Sequence, residues 1–68
     1  MTKEEIGKFI RERRVELKIT QQVLSDMTDI STPIISAIEN ATSNISMGNL
    51  LELLDALGLE LKLDIQER

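Results

Sequence analysis

A chain of 68 residues that contains neither Cys nor His has few ways to hold itself together. A domain of this size buries only about 60% of the surface that its unfolded chain exposes. Small domains usually gain the missing margin from disulfides, a structural metal or a partner chain. Disulfides and the common zinc sites are excluded here by composition. Tight helix packing or oligomerisation remains. The expectation is one small domain with no metal and no cofactor.

No stretch approaches the roughly 20 apolar residues of a membrane span. The opening Met1-Thr2-Lys3-Glu4-Glu5 is charged and lacks the apolar centre of a signal peptide. These features predict a cytoplasmic protein without a membrane partner. Phe9 is the only aromatic residue, so bases cannot stack on an aromatic platform, which argues against single-stranded nucleic acid as ligand. The net charge of −4 is awkward for a nucleic-acid binder, but its distribution matters more than its sum. Lys3, Lys8, Arg11, Arg13, Arg14 and Lys18 crowd the first 18 residues, and no Lys or Arg occurs from Ile19 to Leu61.

Local signals divide the chain into four short helical segments and a strand-like tail. Thr2 and Glu5 have capping-box spacing, and Ile6, Ile10, Arg14 and Leu17 follow at helical intervals. Thr20 is an N-cap candidate for a helix of about two turns. Asp29-Ile30-Ser31 breaks the chain; Ser31 can cap a third helix, with Pro33 in its first turn and Ile35 and Ile38, with Ile34 as a further candidate, on its apolar face. Ala41-Thr42-Ser43-Asn44-Ile45 reads as loop. Ser46 then caps a helix carrying Leu50, Leu51, Leu54 and Leu57, with Gly58 as its stop. Beyond Gly58 the period changes to two. Leu59, Leu61, Leu63 and Ile65 alternate with Glu60, Lys62, Asp64 and Gln66, which is the pattern of a half-buried strand.

Two short helices separated by a brief turn, the second opened by Ser31-Thr32-Pro33, have the spacing of a helix-turn-helix. A small helical bundle with no nucleic-acid role fits that spacing as well. The residues themselves say more. Ile19-Thr20-Gln21-Gln22-Val23-Leu24-Ser25 and Ile30-Ser31-Thr32-Pro33-Ile34-Ile35-Ser36-Ala37-Ile38-Glu39-Asn40 resemble the Cro/C1-type (lambda-repressor-like) helix-turn-helix family. The family pattern runs roughly L-T-Q-x-x-L-A, then V-S-x-x-x-I-S-x-I-E-N-G. The resemblance extends to Ile6-Gly7, Arg14 and the helix from Met47 to Leu57.

The resemblance implies an all-α, lambda-repressor-like bundle of roughly four to five short helices, with a C-terminal β-strand pairing across a dimer. Residues 1–58 would form the DNA-binding part, and residues 59–68 the dimerising strand of the same unit. It implies a double-stranded DNA operator as partner. Gln21 resembles the residue that anchors a phosphate. Ser31, Thr32, Pro33, Ser36 and Ala37 match the outward positions of the recognition helix, with Thr32, Ser36 and Ala37 towards the bases. Asn40, Thr42 and Ser43 match the loop that touches the DNA backbone. Arg14 and Glu39 resemble an ion pair that ties the first helix to the recognition helix.

The sequence departs from the family in two ways. Lys18, Asp29 and Ala41 stand where the family has glycines at helix ends. Either these residues adopt a left-handed conformation at a cost of about 1 kcal/mol apiece, least for Asp29, or the turns have changed shape. The second departure is electrostatic. Family members usually carry Lys or Arg on the recognition helix or the following loop, where this chain has Thr32, Ser36, Asn40, Thr42, Ser43 and Asn44. Hydroxyls, amides and helix N-termini hold phosphates too, but they release few counterions, so the salt dependence should be shallow.

A lone strand leaves its backbone groups unpaired, and the chain offers no second strand. The same strand of another copy, paired antiparallel through Leu59, Leu61, Leu63 and Ile65, answers that need. Folding back onto the fourth helix is the alternative. The ending Leu57-Gly58-Leu59-Glu60-Leu61-Lys62-Leu63 is similar to that of the HipB-like subgroup, whose members dimerise through such a strand and act as antitoxins against a toxin kinase. That similarity implies a toxin protein as a further partner. Val23, Met27 and Ile34 are apolar where the family is usually polar, which suits either scattered surface residues or a docking patch.

Enzyme readings fail for want of parts. The sequence has no His, Cys or Tyr, no glycine-rich phosphate loop and no metal-binding spacing. Two functions compete: an autoregulating repressor that reads a palindromic operator as a homodimer, and a protein-interaction module that retains the fold.

Overall fold

The computed structural model describes residues 1–66. Three of its helices begin where a hydroxyl stands in for a missing carbonyl acceptor. The Thr2 hydroxyl accepts from the Glu5 N–H at 3.1 Å, and the Glu5 carboxylate accepts from the Thr2 N–H at 3.3 Å, opening α1 (Lys3–Glu16). Thr20 accepts from the Val23 N–H at 3.1 Å to start α2 (Gln21–Thr28). Ser46 does the same for the Asn49 N–H at 3.1 Å at α4 (Met47–Ala56). Ser31 occupies the N-cap position of α3 (Thr32–Glu39) but makes no capping bond, so the capping role expected of its side chain is corrected. Pro33 in the first turn supplies preset backbone geometry instead.

The helix ends settle the question of the missing glycines: the turns have kept their shape. Lys18, Asp29 and Ala41 have φ of 59°, 62° and 56°. After α1, the Ile19 N–H bonds the Arg14 carbonyl at 3.2 Å and the Lys18 N–H bonds that of Val15 at 2.9 Å. After α3, the Thr42 N–H bonds the Ala37 carbonyl at 2.9 Å and the Ala41 N–H bonds that of Ile38 at 3.2 Å. Both are Schellman closures, the form normally completed by glycine. Gly58, at φ 69°, closes α4 in the same way. Lys18 and Ala41 carry the steric cost of a Cβ in the left-handed region; Asp29 carries less of it.

α3 lies at the centre, packed against α1 and α2, with α4 against α2. Ile10, Leu24, Ile30, Ile35, Ile38, Leu50, Leu53 and Leu57 form one core. On α4 the buried set is Leu50, Leu53 and Leu57, with Leu54 half-buried and Leu51 exposed. The expected face through Leu51 is therefore rotated toward Leu53. Leu17 forms the C-cap of α1 and is exposed.

Gly7 allows α1 and α3 to touch backbone to backbone. A Cβ there would lie 2.9 Å from the Glu39 carbonyl oxygen and closer still to that of Ile38.

The C-terminal strand is not seen. Among the described residues there is no strand, and residues 59–66 carry no regular secondary structure. A ladder needs a second strand, and the single chain does not supply one. The last two positions of the 59–68 segment lie outside the described residues. Among the described residues no helix is long and apolar enough to cross a membrane.

Candidate nucleic-acid interface

One buried carboxylate ties α3 to both neighbouring helices. The Glu39 side chain is only 1% accessible and lies against that of Arg14, at 12%. Arg14 Nε donates to Glu39 Oε2 at 2.8 Å and Nη2 donates to Oε1 at 3.0 Å, the bidentate form that adds geometric specificity to charge. Nη1 donates to the Ile19 carbonyl at 2.9 Å, so the same guanidinium also holds the approach to α2. Gln21 Nε2 donates to Glu39 Oε1 at 3.2 Å; a carboxylate only accepts, so the amide nitrogen must face it. The hydrogen bonds to Glu39, with its negative charge, hold the Arg14 pKa above its ordinary value, against the opposing pull of burial. Three elements therefore meet on one side chain: α1 through Arg14, α2 through Gln21 and α3 through Glu39.

Gln21 is half-buried, and its amide keeps one N–H beyond the bond to Glu39. Ser31, Pro33 and Asn40 are exposed, and Thr32, Ser36 and Ala37 are half-buried. Thr42 and Ser43 are exposed on the loop after α3. Asn40 Nδ2 donates to Ser36 Oγ at 3.3 Å, which leaves the serine O–H free to donate. Thr42 Oγ1 donates to the Ala37 carbonyl at 3.4 Å, aligning the loop with the end of the helix. Ser31, Thr32, Ser36, Asn40, Thr42 and Ser43 thus place hydroxyls and amides along α3 and into the loop, with Pro33 and Ala37 among them.

That surface has no exposed charge. From Ile30 to Leu51 the sequence contains one ionisable side chain, Glu39, and it is buried and neutralised by Arg14. The acids of the neighbouring segments are Asp26 and Asp29 on one side and Glu52, Asp55 and Glu60 on the other.

Arg13, adjacent to Arg14, has a different task that the sequence reading missed. Its Nε donates to the Leu57 carbonyl at 2.9 Å, placing a positive charge at the C-terminal end of α4. It also pairs with Glu16 on its own helix. A basic residue in the last turn of a helix is a weak signal by itself; only the meeting of α1 with the end of α4 gives it this role. Val23, Met27 and Ile34 are 41%, 54% and 43% exposed, so the unusual apolar positions are surface positions. Among the described residues no cluster of carboxylates has the makings of a metal site.

Residues 10–63 match the family model described as helix-turn-helix, a span that takes in α2, α3 and α4 together with the second half of α1. No curated protein gives a match.

Proposed function

This chain belongs to the Cro/C1-type helix-turn-helix family of DNA-binding regulators, and from that premise we propose that it is an autoregulating repressor that reads a palindromic operator as a homodimer. The observation that carries the reading is the uncharged, polar surface of α3, held in place by a buried ion pair. An α-helix fits the major groove, where hydroxyls and amides can bond base edges. Thr32, Ser36 and Ala37 face the bases in this reading, with Ser31 and Pro33 at the helix entry. Gln21, Asn40, Thr42 and Ser43 hold the phosphates. Two copies related by a two-fold axis would set their recognition helices about 34 Å apart, one turn of the duplex. The second copy pairs through Leu59, Leu61, Leu63 and Ile65.

Ser36→Glu tests the surface directly. The substitution puts a carboxylate into a segment whose only other one, Glu39, is buried, and the side chain has room because the position is only half-buried. Binding to the operator should be abolished while the far-UV spectrum and melting temperature stay near the parent's. Unchanged DNA affinity would remove Ser36 from the interface.

One observation favours a second role. Val23, Met27 and Ile34 expose apolar side chains on α2 and α3, beside Asp26 and Asp29. A basic protein partner seated there would supply the positive charge that this half of the chain lacks, as in a toxin–antitoxin pair of the HipB type. Stoichiometric capture of a protein encoded beside this gene, lost in Met27→Glu, is the expected result.

A further inference from the structure

The tail leaves the helical body as a partly used apolar strip. Leu59 is half-buried and Leu61 is 40% exposed, and both line a groove of about 280 Å³ with Ile6, Phe9, Leu50 and Leu54. Leu63 and Ile65 continue the same alternation and are each 91% exposed. The groove and the unused side chains belong to one chain, but Leu63 and Ile65 run on past the groove that Leu59 and Leu61 already line.

We propose that a second copy completes this groove, with the two tails antiparallel and Leu61 facing the partner's Leu61 on the two-fold axis, and that Glu60 and Lys62 select this register. The proposal rests on the dimer reading above and adds its geometry. Along an antiparallel pair, stepping forward on one strand steps back on the other. Every register centred on a residue sets apolar residues against apolar ones, and centring on Glu60 or Asp64 puts an acid against its own copy, which leaves 61, 62 and 63; the intermediate ones turn leucines against charges.

Charge separates the three. Centring on Lys62 places it against the partner's Lys62, and Glu60 against the partner's Asp64. Like charges directly opposite each other destabilise a sheet. Centring on Leu61 places Glu60 against the partner's Lys62, and symmetry makes this favourable pair occur twice. Centring on Leu63 also pairs opposite charges, Lys62 with the partner's Asp64, but carries Leu63 away from the groove. Only the register centred on Leu61 sets the partner's Leu63 beside Leu59, where the groove already offers Phe9 at 57% exposure. Burial and charge select the same alignment.

The absence of Cys makes the test clean, since each introduced thiol is the only one present. Directly facing residues have Cα atoms about 4.5–5.5 Å apart, within the range that a disulfide spans. Leu61→Cys, Lys62→Cys and Leu63→Cys are oxidised in parallel, with sedimentation velocity on each reduced protein. Leu61→Cys should cross-link fastest. Glu60→Lys and Lys62→Glu should each weaken dimerisation by about tenfold, and the double reversal should restore it. Fastest cross-linking in Lys62→Cys or Leu63→Cys, or a double reversal that stays as weak as the singles, overturns the register while leaving the dimer standing. A parent protein that sediments as a monomer at every concentration overturns the dimer reading itself.

Discussion

Gly7→Ala should destabilise this domain, although the same change inside an ordinary exposed helix would stabilise it by about 1 kcal/mol. The added methyl meets the carbonyl oxygens of Ile38 and Glu39, at 2.9 Å in the second case and closer in the first. Neither oxygen can swing aside, because both belong to the last turn of α3, where the Ile38 carbonyl also accepts from the Ala41 N–H at 3.2 Å. Restoring normal contact requires α1 and α3 to part by about 1 Å, which loosens the packing of Ile10 and Ile35 and stretches the Arg14–Glu39 pair. Overpacking of this kind typically costs about 1–3 kcal/mol. Taking about 2 kcal/mol net, the melting temperature should fall by roughly 8–16 °C for a domain of this size. Gly48→Ala is the control. No atom lies within 4 Å of a Cβ at that position, so propensity acts alone and the melting temperature should rise by a few degrees. Thermal melts followed by circular dichroism measure both. A Gly7→Ala protein as stable as its parent would refute the idea that close backbone approach sets the place of α3.

Ala41→Gly should stabilise by about 0.5–1 kcal/mol in urea titrations, because the left-handed turn at φ 56° then carries no Cβ; an unchanged midpoint would mean that the turn adapts without strain. Arg14→Leu leaves the Glu39 carboxylate buried with only Gln21 for company and should cost about 3–5 kcal/mol, enough to abolish the cooperative melt. Adding Glu39→Leu to it should recover about 1–3 kcal/mol, and purely additive losses would contradict the coupling. Leu61→Asp should give monomers by light scattering without loss of helix content, and a persistent dimer would refute pairing through the tail.

Much of the architecture is legible in the sequence because it is decided locally. Thr2, Thr20 and Ser46 announce helix starts through bonds that span three residues, and these bonds are present. The breaks at Lys18, Asp29 and Ala41 are legible as positions, but propensity could not show whether a Cβ had been tolerated or the turn reshaped. What escaped the sequence depends on packing between helices. Leucines at 50, 51, 53, 54 and 57 spread over about 160° of α4, with Leu51 and Leu53 at the two edges, so period alone cannot say which edge is buried; packing against the other helices puts Leu53 inside. Gly7 carried a readable hint, since a glycine inside a helix has a cost that calls for a reason. Its reason lies on α3. Arg13 and Arg14 are neighbours of one type, yet one holds the end of α4 and the other holds Glu39. The strand pattern after Gly58 describes a need for a partner, which a single chain does not meet.

The most direct test of the neutral recognition face is fluorescence anisotropy against duplex DNA from immediately upstream of its own gene, at about 50 and 200 mM salt. A protein that holds phosphates with hydroxyls, amides and helix N–H groups should lose little affinity between the two conditions. Tight binding that falls by less than about tenfold is the expected result. A loss of about a thousandfold would show that the Lys and Arg of α1 carry the contact and that α3 does not. No binding at either salt would contradict DNA recognition by this chain alone.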